Sequence, residues 1–283
     1  MENRDNPLRQ WGLGGGIIAA VFAVWLLFFP DAVKPYFAWP IDPRLAQMFM
    51  GAGYIFRTAY FLSVWRERAW YKVRWIYWGN LVFTGTLLLA TFWHAEQFKW
   101  PFPFSMGHLW LLLYIAEPMA MIYVAPRGRL AAPPTGGPLM PGLKRFMMIE
   151  ASLLLTFGLL LVLNPGFANV RWPWQLNPLD ARIIAAWFLG WAAWAVTMVF
   201  ASDWDEIRMA AQLNLLFGVV LIIISVVSLP LFDLARFSSH YFIWAIAVLT
   251  LLMAYFYWRQ ERARPAMPAG ASSEPAAAVR AAN

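Results

Sequence analysis

The sequence predicts an all-α protein, a polytopic membrane bundle of eight transmembrane helices arranged as two tandem four-helix repeats. Composition is the first reason: of 283 residues, 61% are hydrophobic and only 13% are charged, about half the charged fraction of an ordinary soluble domain. The second is that the apolar residues fall in runs close to the ~20 that a helix needs to cross the hydrocarbon. These runs do not alternate as the strands of a transmembrane barrel do.

The predicted spans lie, in order, at roughly 10–30, 43–65, 74–96, 106–125, 146–164, 181–201, 208–230 and 240–258. The first follows Arg4 and Arg9, as the apolar part of a secretion signal would. No small-residue cleavage site precedes "PDAVKPYFAWP", so we interpret this run as a retained helix. The chain has no cysteine, which excludes disulfides, cysteine-ligated iron–sulfur clusters and covalently attached c-type haem.

Basic residues predict the orientation. Leaving out Arg57, fifteen Lys and Arg fall on the side of the N-terminus and six on the other side, so both termini are expected in the cytoplasm. The net charge of +7 is then mainly this asymmetry, and we expect no nucleic-acid partner. The expected partner is the lipid bilayer, with anionic lipid at the basic inner rim. Other membrane proteins or a second copy of the chain are further candidates.

An internal match predicts the repeat. "WYKVRWIYWGNLVF" from Trp70 and "WDEIRMAAQLNLLF" from Trp204 share five identities in fourteen positions at a constant offset of 134. Four spans per half is an even number, so both halves have the same orientation and a pseudo-two-fold axis runs along the membrane normal. The predicted organisation is a first four-helix repeat at 1–126, a cytoplasmic Pro/Gly-rich linker at 127–145, a second four-helix repeat at 146–258 and a disordered cytoplasmic tail at 259–283.

A charge in the second span needs an explanation. Arg57 lies in "YIFRTAYFL", and an arginine at the centre of a bilayer costs about 2.5–3.5 kcal/mol or more. Glu117 is the only other ionisable group near the middle of a predicted span, and its depth differs from that of Arg57 by roughly 4–5 Å. We therefore predict that the two form a pair, with Tyr54 and Tyr114 one turn earlier on their helices. Pro118 loosens the helix beside Glu117.

Two interpretations of this pair remain open, structural pairing and the handling of a ligand or proton. The corresponding positions of the second repeat hold Trp191 and Leu249, which cannot form an ion pair, so a site here would belong to the first repeat alone. Asn80 and Asn214, at matching positions of the two repeats, are predicted to form a polar seam at the interface between them. This seam is either an interhelical contact or a permeation path. The predicted ligand-binding residues are Arg57, Glu117, Tyr54, Tyr114, Asn80 and Thr84.

A second candidate site lies at the outer end of the third span. His94 and Glu96, with His108 after a short loop, have the residue types of a two-histidine, one-carboxylate site for Zn²⁺ or another divalent metal. The alternative is that these histidines bond backbone or lipid headgroups. Because the histidines are all near the outer surface, haem b is not expected. No cofactor is expected other than, as an alternative, this divalent metal.

The stretches "FAWPIDP", "WHAEQF" and "HLWLLLYIAEP" resemble an uncharacterised group of bacterial multispan inner-membrane proteins, in which a histidine closely followed by an acid ends the third span. The resemblance implies a bacterial inner-membrane location and nothing about activity. Three functions are considered: binding or translocation of a small molecule or ion at Arg57 and Glu117, a non-catalytic accessory subunit of a larger membrane complex, and an intramembrane metal-dependent enzyme at the outer His/Glu rim. We favour the first over the second, and a non-enzymatic role. The sequence has no nucleotide-binding loop, nucleophile elbow, zinc-protease helix or kinase signature, so an energised pump acting alone is not expected.

Overall fold

The computed structural model describes residues 7–67, 70–124 and 136–265. These residues form helices joined by short loops, and the β structure among them is a single bridge between Pro138 and Asp203. The predicted all-α class is confirmed for this part of the chain.

The helices follow one another with few residues between them. In chain order they are α1 (Pro7–Phe28), α2 (Pro30–Tyr36), α3 (Arg44–Arg66), α4 (Trp70–Val73), α5 (Ile76–Trp93), α6 (Met106–Val124), α7 (Pro141–Leu163), α8 (Pro165–Arg171), α9 (Pro178–Val199), α10 (Trp204–Val227) and α11 (Phe237–Arg262). Two 3-10 turns, Ala95–Gln97 and Leu229–Leu231, follow α5 and α10.

Among the residues that the structure describes, five helices, α1, α7, α9, α10 and α11, are long and apolar enough to cross a membrane. Their outward surface is apolar, as contact with lipid requires: α11, for example, exposes Trp244 and Leu251. Helices α3 and α6 carry the charges of Arg57 and Glu117, which lower their hydropathy. The chain is therefore a helical protein with several membrane-capable helices, and the other three predicted spans stay a prediction.

The order of elements repeats along the chain. In each half a long helix is followed by a seven-residue helix that begins with proline, Pro30 in α2 and Pro165 in α8. A second long helix comes next, and later a 3-10 turn separates the last two long helices. Helix α1 packs on α3 as α7 packs on α9. This order is consistent with a tandem duplication, and both the duplication and the rotation that would relate the halves stay predictions.

The halves meet where α5 packs on α9 and α3 packs on α10. A Cβ atom on Gly79 of α5 would lie 1.5 Å from Cδ1 of Trp194 on α9, and one on Gly190 of α9 would lie 2.9 Å from Cβ of Phe83 on α5. Because these glycines lack side chains, the two helices approach closely, as small residues allow in membrane bundles.

The predicted linker at 127–145 is too long. Helix α7 already begins at Pro141, with proline in its first turn, where the missing N–H is no loss and the fixed φ suits the helix. At the other end, α11 continues to Arg262, past the predicted limit at 258. Residues 125–135 of the predicted linker and 266–283 of the predicted tail lie outside the described residues.

Candidate functional site

Helices α3, α5 and α6 bring three polar side chains together. Nη2 of Arg57 lies 2.5 Å from Oε1 of Glu117, and Nη1 of Arg57 donates to Oδ1 of Asn80 at 3.0 Å. Nδ2 of Asn80 donates to the same Glu117 oxygen at 2.7 Å. The side chain of Arg57 is 5% exposed and that of Glu117 is 11% exposed. The predicted pair is therefore present, and Asn80 bonds both of its members; we call these three residues the Arg57 cluster.

Aromatic rings complete the surroundings of the guanidinium. Its carbon lies 4.6 Å from the ring centroid of Phe83 and 4.9 Å from that of Phe61. A ring face attracts a cation, and more strongly where water is excluded. The charge of Arg57 is thus balanced by one carboxylate, one amide oxygen and two rings, which offset part of the cost of burying it.

The two tyrosines of the predicted site are bonded to each other. The hydroxyl groups of Tyr54 and Tyr114 are 2.7 Å apart, and both side chains are buried. Thr84 is buried as well, but its hydroxyl donates to the carbonyl of Asn80 one turn earlier on the same helix at 2.8 Å. Its contact is therefore with its own helix.

A cavity of about 260 Å³ reaches the Arg57 cluster. It lies between α1, α3 and α6, and Gly14 and Gly15 of α1 form part of its far wall. Helices α1 and α6 make few contacts with each other, so the cavity is bordered by a loosely packed pair. Four of the six predicted ligand-binding residues line it: Tyr54, Arg57, Tyr114 and Glu117.

Pro118 follows Glu117 inside α6. Because proline has no N–H, the carbonyl of Tyr114, four residues earlier, does not receive its usual helical hydrogen bond. Tyr114 lines the cavity, so the helix is weakened next to the buried carboxylate, as predicted.

His94 follows the end of α5 and joins the two halves. Its Nε2 lies 2.6 Å from Nη1 of Arg182 on α9. A guanidinium can only donate hydrogen bonds, so Nε2 accepts and the proton of the neutral imidazole is assigned to Nδ1. The guanidinium of Arg182 also stacks on Trp93, 4.0 Å from the ring centroid, and its Nε donates to the carbonyl of Val162 at 3.2 Å.

These surroundings keep the imidazole neutral. Burial and, secondly, the Arg182 guanidinium lower the pKa of His94 below its usual value, while Glu96 acts in the opposite direction. Arg182 was counted in the sequence among the six basic residues of the outer side, at the start of the predicted span 181–201, and its contact with His94 was not foreseen.

The three predicted metal ligands have different neighbours. Nδ1 of His94 lies 3.8 Å from Oε1 of Glu96, whereas Nδ1 of His108 lies 2.8 Å from the hydroxyl of Ser105. Within the described ranges, no group of three or more His, Asp or Glu residues is placed to hold a metal ion. Arg182 also occupies the Nε2 side of His94, so a divalent metal there stays a prediction that these positions do not favour.

A buried acid in the second half was missed by the sequence analysis. Glu150 is the tenth residue of the 23-residue helix α7. Arg57 and Glu117 are therefore not alone among ionisable groups near the middle of a long helix. The predicted span began at 146, which placed Glu150 near the membrane surface. Pro141, a typical first residue of a helix, was the signal that would have moved the start of the span and revealed it.

Glu150 is bonded by the asparagine of its own half. Nδ2 of Asn214 on α10 donates to Oε1 of Glu150 at 3.1 Å. Asn80, its counterpart in the first half, bonds Glu117. The predicted seam between the repeats is therefore not formed by these two asparagines, because each of them is bonded to an acid of its own half.

Comparisons of the chain with protein families, curated proteins and solved structures return no match.

Proposed function

We propose that this protein is a multi-pass protein of a bacterial inner membrane that binds or translocates a small molecule or ion at the Arg57 cluster. In this proposal eight helices span the membrane as two tandem repeats, and both termini are cytoplasmic. The repeated order of elements supports the duplication, and the excess of Lys and Arg on one side supports the orientation.

The observation that carries the proposal is the cavity of about 260 Å³ whose wall includes both charges of the cluster. A buried ion pair is poor evidence of a stabilising role, since well-packed apolar residues of similar volume are often as stable or more so. Charged groups within a membrane instead tend to mark binding sites and ion paths. The presence of a cavity beside this pair favours the functional interpretation over the structural one.

The chemistry of the wall restricts the ligand. Arg57 offers a cation and Glu117 an anion, while Tyr54 and Tyr114 offer hydroxyl groups beside them. A molecule or ion that carries an acid, an amine or both competes for one member of the pair, and the partner that it displaces keeps its bond to Asn80. The cluster therefore has a means of exchanging an internal contact for a ligand.

The test is thermal unfolding of the purified protein in lipid nanodiscs, in the presence of amino acids, small carboxylic acids, amines and inorganic ions. A ligand at about 100 times its Kd stabilises the folded state by about 2.7 kcal/mol. We expect a compound that stabilises the parent to have no effect on the double variant Arg57→Met/Glu117→Leu. Uptake of that compound into proteoliposomes then distinguishes translocation from binding.

The matched control is Arg236→Met/Asp233→Leu, which removes an exposed pair and should leave the ligand effect intact. A compound that stabilises the Arg57/Glu117 double variant as much as the parent binds elsewhere. If none of the compounds stabilises the parent, the cluster is structural and the proposal fails.

A further inference from the structure

A larger cavity lies in the second half, between α7, α9, α10 and α11. Its volume is about 480 Å³, within the range of about 300–1,000 Å³ that small-molecule sites occupy. It has no lining residue in common with the cavity at the Arg57 cluster. Trp191 and Leu249, which hold the positions that correspond to Arg57 and Glu117, both line it. The second half therefore has a cavity of its own, with different chemistry.

One carboxyl group lies in the wall of this cavity. Glu150 is 5% exposed, and Asn214 donates to its Oε1. Its Oε2 is buried and has no hydrogen-bond partner among the described residues. A buried carboxyl oxygen without a donor is costly. This atom therefore marks the place in the wall where a hydrogen-bond donor would be most stabilising.

The described residues of the wall place no cation beside Glu150. Arg171 is the one basic residue in the lining; it is exposed at the end of α8, and its guanidinium lies 3.9 Å from the ring centroid of Phe167. The rest of the wall is mostly apolar and rich in aromatic rings. These include Trp172, Trp187, Trp191, Tyr241, Phe242 and Trp244. Aromatic faces and a single acid together are the chemistry that recognises an organic cation.

The cavity has a route to the bilayer. Helices α7 and α11 make few contacts with each other, and residues of both that line the cavity are exposed on the outer surface, among them Leu153, Trp244 and Val248. An apolar molecule dissolved in the membrane can enter between these helices without passing through water.

We infer that this cavity binds a lipophilic amine, whose ammonium group donates to Oε2 of Glu150 and whose apolar body lies against the aromatic wall. A hydrogen bond between two charged groups is roughly twice as strong as a neutral one, and the ammonium charge keeps Glu150 in its carboxylate form. The site is independent of the Arg57 cluster and of any ligand bound there.

Two features near Glu150 define the alternatives to a bound amine. The indole N–H groups of Trp172, Trp187 and Trp191 have no acceptor within the described ranges, and they would favour an anion or a carbonyl oxygen. A second void, of about 10 Å³, also borders Glu150. It is at the lower limit for one water molecule, and a water there would satisfy Oε2 without a ligand.

The test compares three probes that share one rigid apolar cage: 1-adamantylamine, 1-adamantanol and adamantane-1-carboxylate. Binding of each radiolabelled probe to the full chain in lipid nanodiscs is measured against empty nanodiscs. We expect the amine to bind best, and to bind about tenfold or more weakly to Glu150→Gln. Glutamine keeps the shape of the side chain and an oxygen for Asn214, so this variant should fold.

A second variant tests the cavity while keeping the carboxyl group. Ala245→Phe places a ring in the space that Ala245 borders and should abolish amine binding. The control Asp31→Asn removes an exposed acid of the first half and should leave it unchanged. The inference is overturned if the alcohol binds as well as the amine, if the carboxylate binds best, if Glu150→Gln binds the amine as the parent does, or if the parent does not bind the amine.

Discussion

Replacing Glu117 with leucine, or Arg57 with methionine, removes one charge of the Arg57 cluster and leaves its partner buried. Glu117→Leu deletes the oxygen that accepts from both Arg57 and Asn80, so the guanidinium keeps only the Asn80 oxygen and its two rings. Arg57→Met leaves the carboxylate with Asn80 alone. Breaking a buried ion pair costs about 3–5 kcal/mol, and we expect each single variant to lose that much stability.

The double variant should lose less than either single variant. It contains neither charge, and the polar group left behind is the Asn80 amide, whose Nδ2 lies 2.9 Å from Sδ of Met121. An unsatisfied buried amide costs about 1–3 kcal/mol. The coupling free energy of the two substitutions is then about 3 kcal/mol or more, at the upper end of values for residues in contact. Adding Asn80→Leu to the double variant should recover part of the remaining loss.

Unfolding in mixed micelles, followed by tryptophan fluorescence, measures these differences. The matched control is the exposed pair Arg236–Asp233, whose side chains are 41% and 55% exposed; removing either charge should cost less than about 1 kcal/mol. If Arg57→Met and Glu117→Leu are both as stable as the parent, the bond between them does not stabilise the fold. The argument for a buried, mutually dependent pair is then refuted.

Three further predictions concern the contact between the halves, pH and orientation. Gly79→Ala should destabilise the fold by about 1–3 kcal/mol, because the added Cβ overlaps the Trp194 ring. The control is Gly85→Ala on the same helix, where an added Cβ has nothing within 4 Å and should be neutral or stabilising by up to about 1 kcal/mol. Equal shifts of the two variants in a thermal scan would contradict this packing. The pKa of His94 is lowered in the folded state. Its contribution to the stability of the fold is therefore fully present above the unfolded pKa of about 6.5, and it is lost as the pH falls through that value towards the folded pKa. His94→Gln should therefore flatten the fall in melting temperature between about pH 7.5 and 5, and an unchanged slope would assign the fall to other groups. Reporter tags at both termini should give cytoplasmic signals, and a periplasmic C-terminus would mean an odd number of spans.

The parts of the site that the sequence predicted follow from positions counted along single helices. Depth in the membrane is counted along a helix at a fixed rise per residue, so Arg57 and Glu117 could be paired from their distances to the helix ends. Tyr54 and Tyr114 followed because residues one turn apart share a helix face.

Other features depend on where each helix begins, how it is rotated and which helix is its neighbour. Glu150 was missed because the apolar run starts five residues after the helix does. Arg182 was counted only as an outer charge because hydropathy does not distinguish a charge at a helix end that points inward from one that points to water. Asn80 and Asn214 match in sequence, but their partners, Glu117 and Glu150, lie on helices that do not correspond in the two halves.

The packing of α5 on α9 limits how the two cavities can change their exposure. Repeat-built transporters alternate between the two sides of a membrane largely by rocking one half against the other. Here the Trp194 ring fills the space above Gly79 and Phe83 packs against Gly190, and a close-packed contact of this kind does not deform gradually. Of the helices that border the cavities, α1 packs closely on α3 and α7 on α9, whereas α6 makes few contacts with α1 and α11 makes few with α7. Helices α6 and α11 can therefore move without breaking the contact between α5 and α9. If the proposed translocation takes place, we therefore expect α6 and α11 to open the cavities one at a time, each at its own rate.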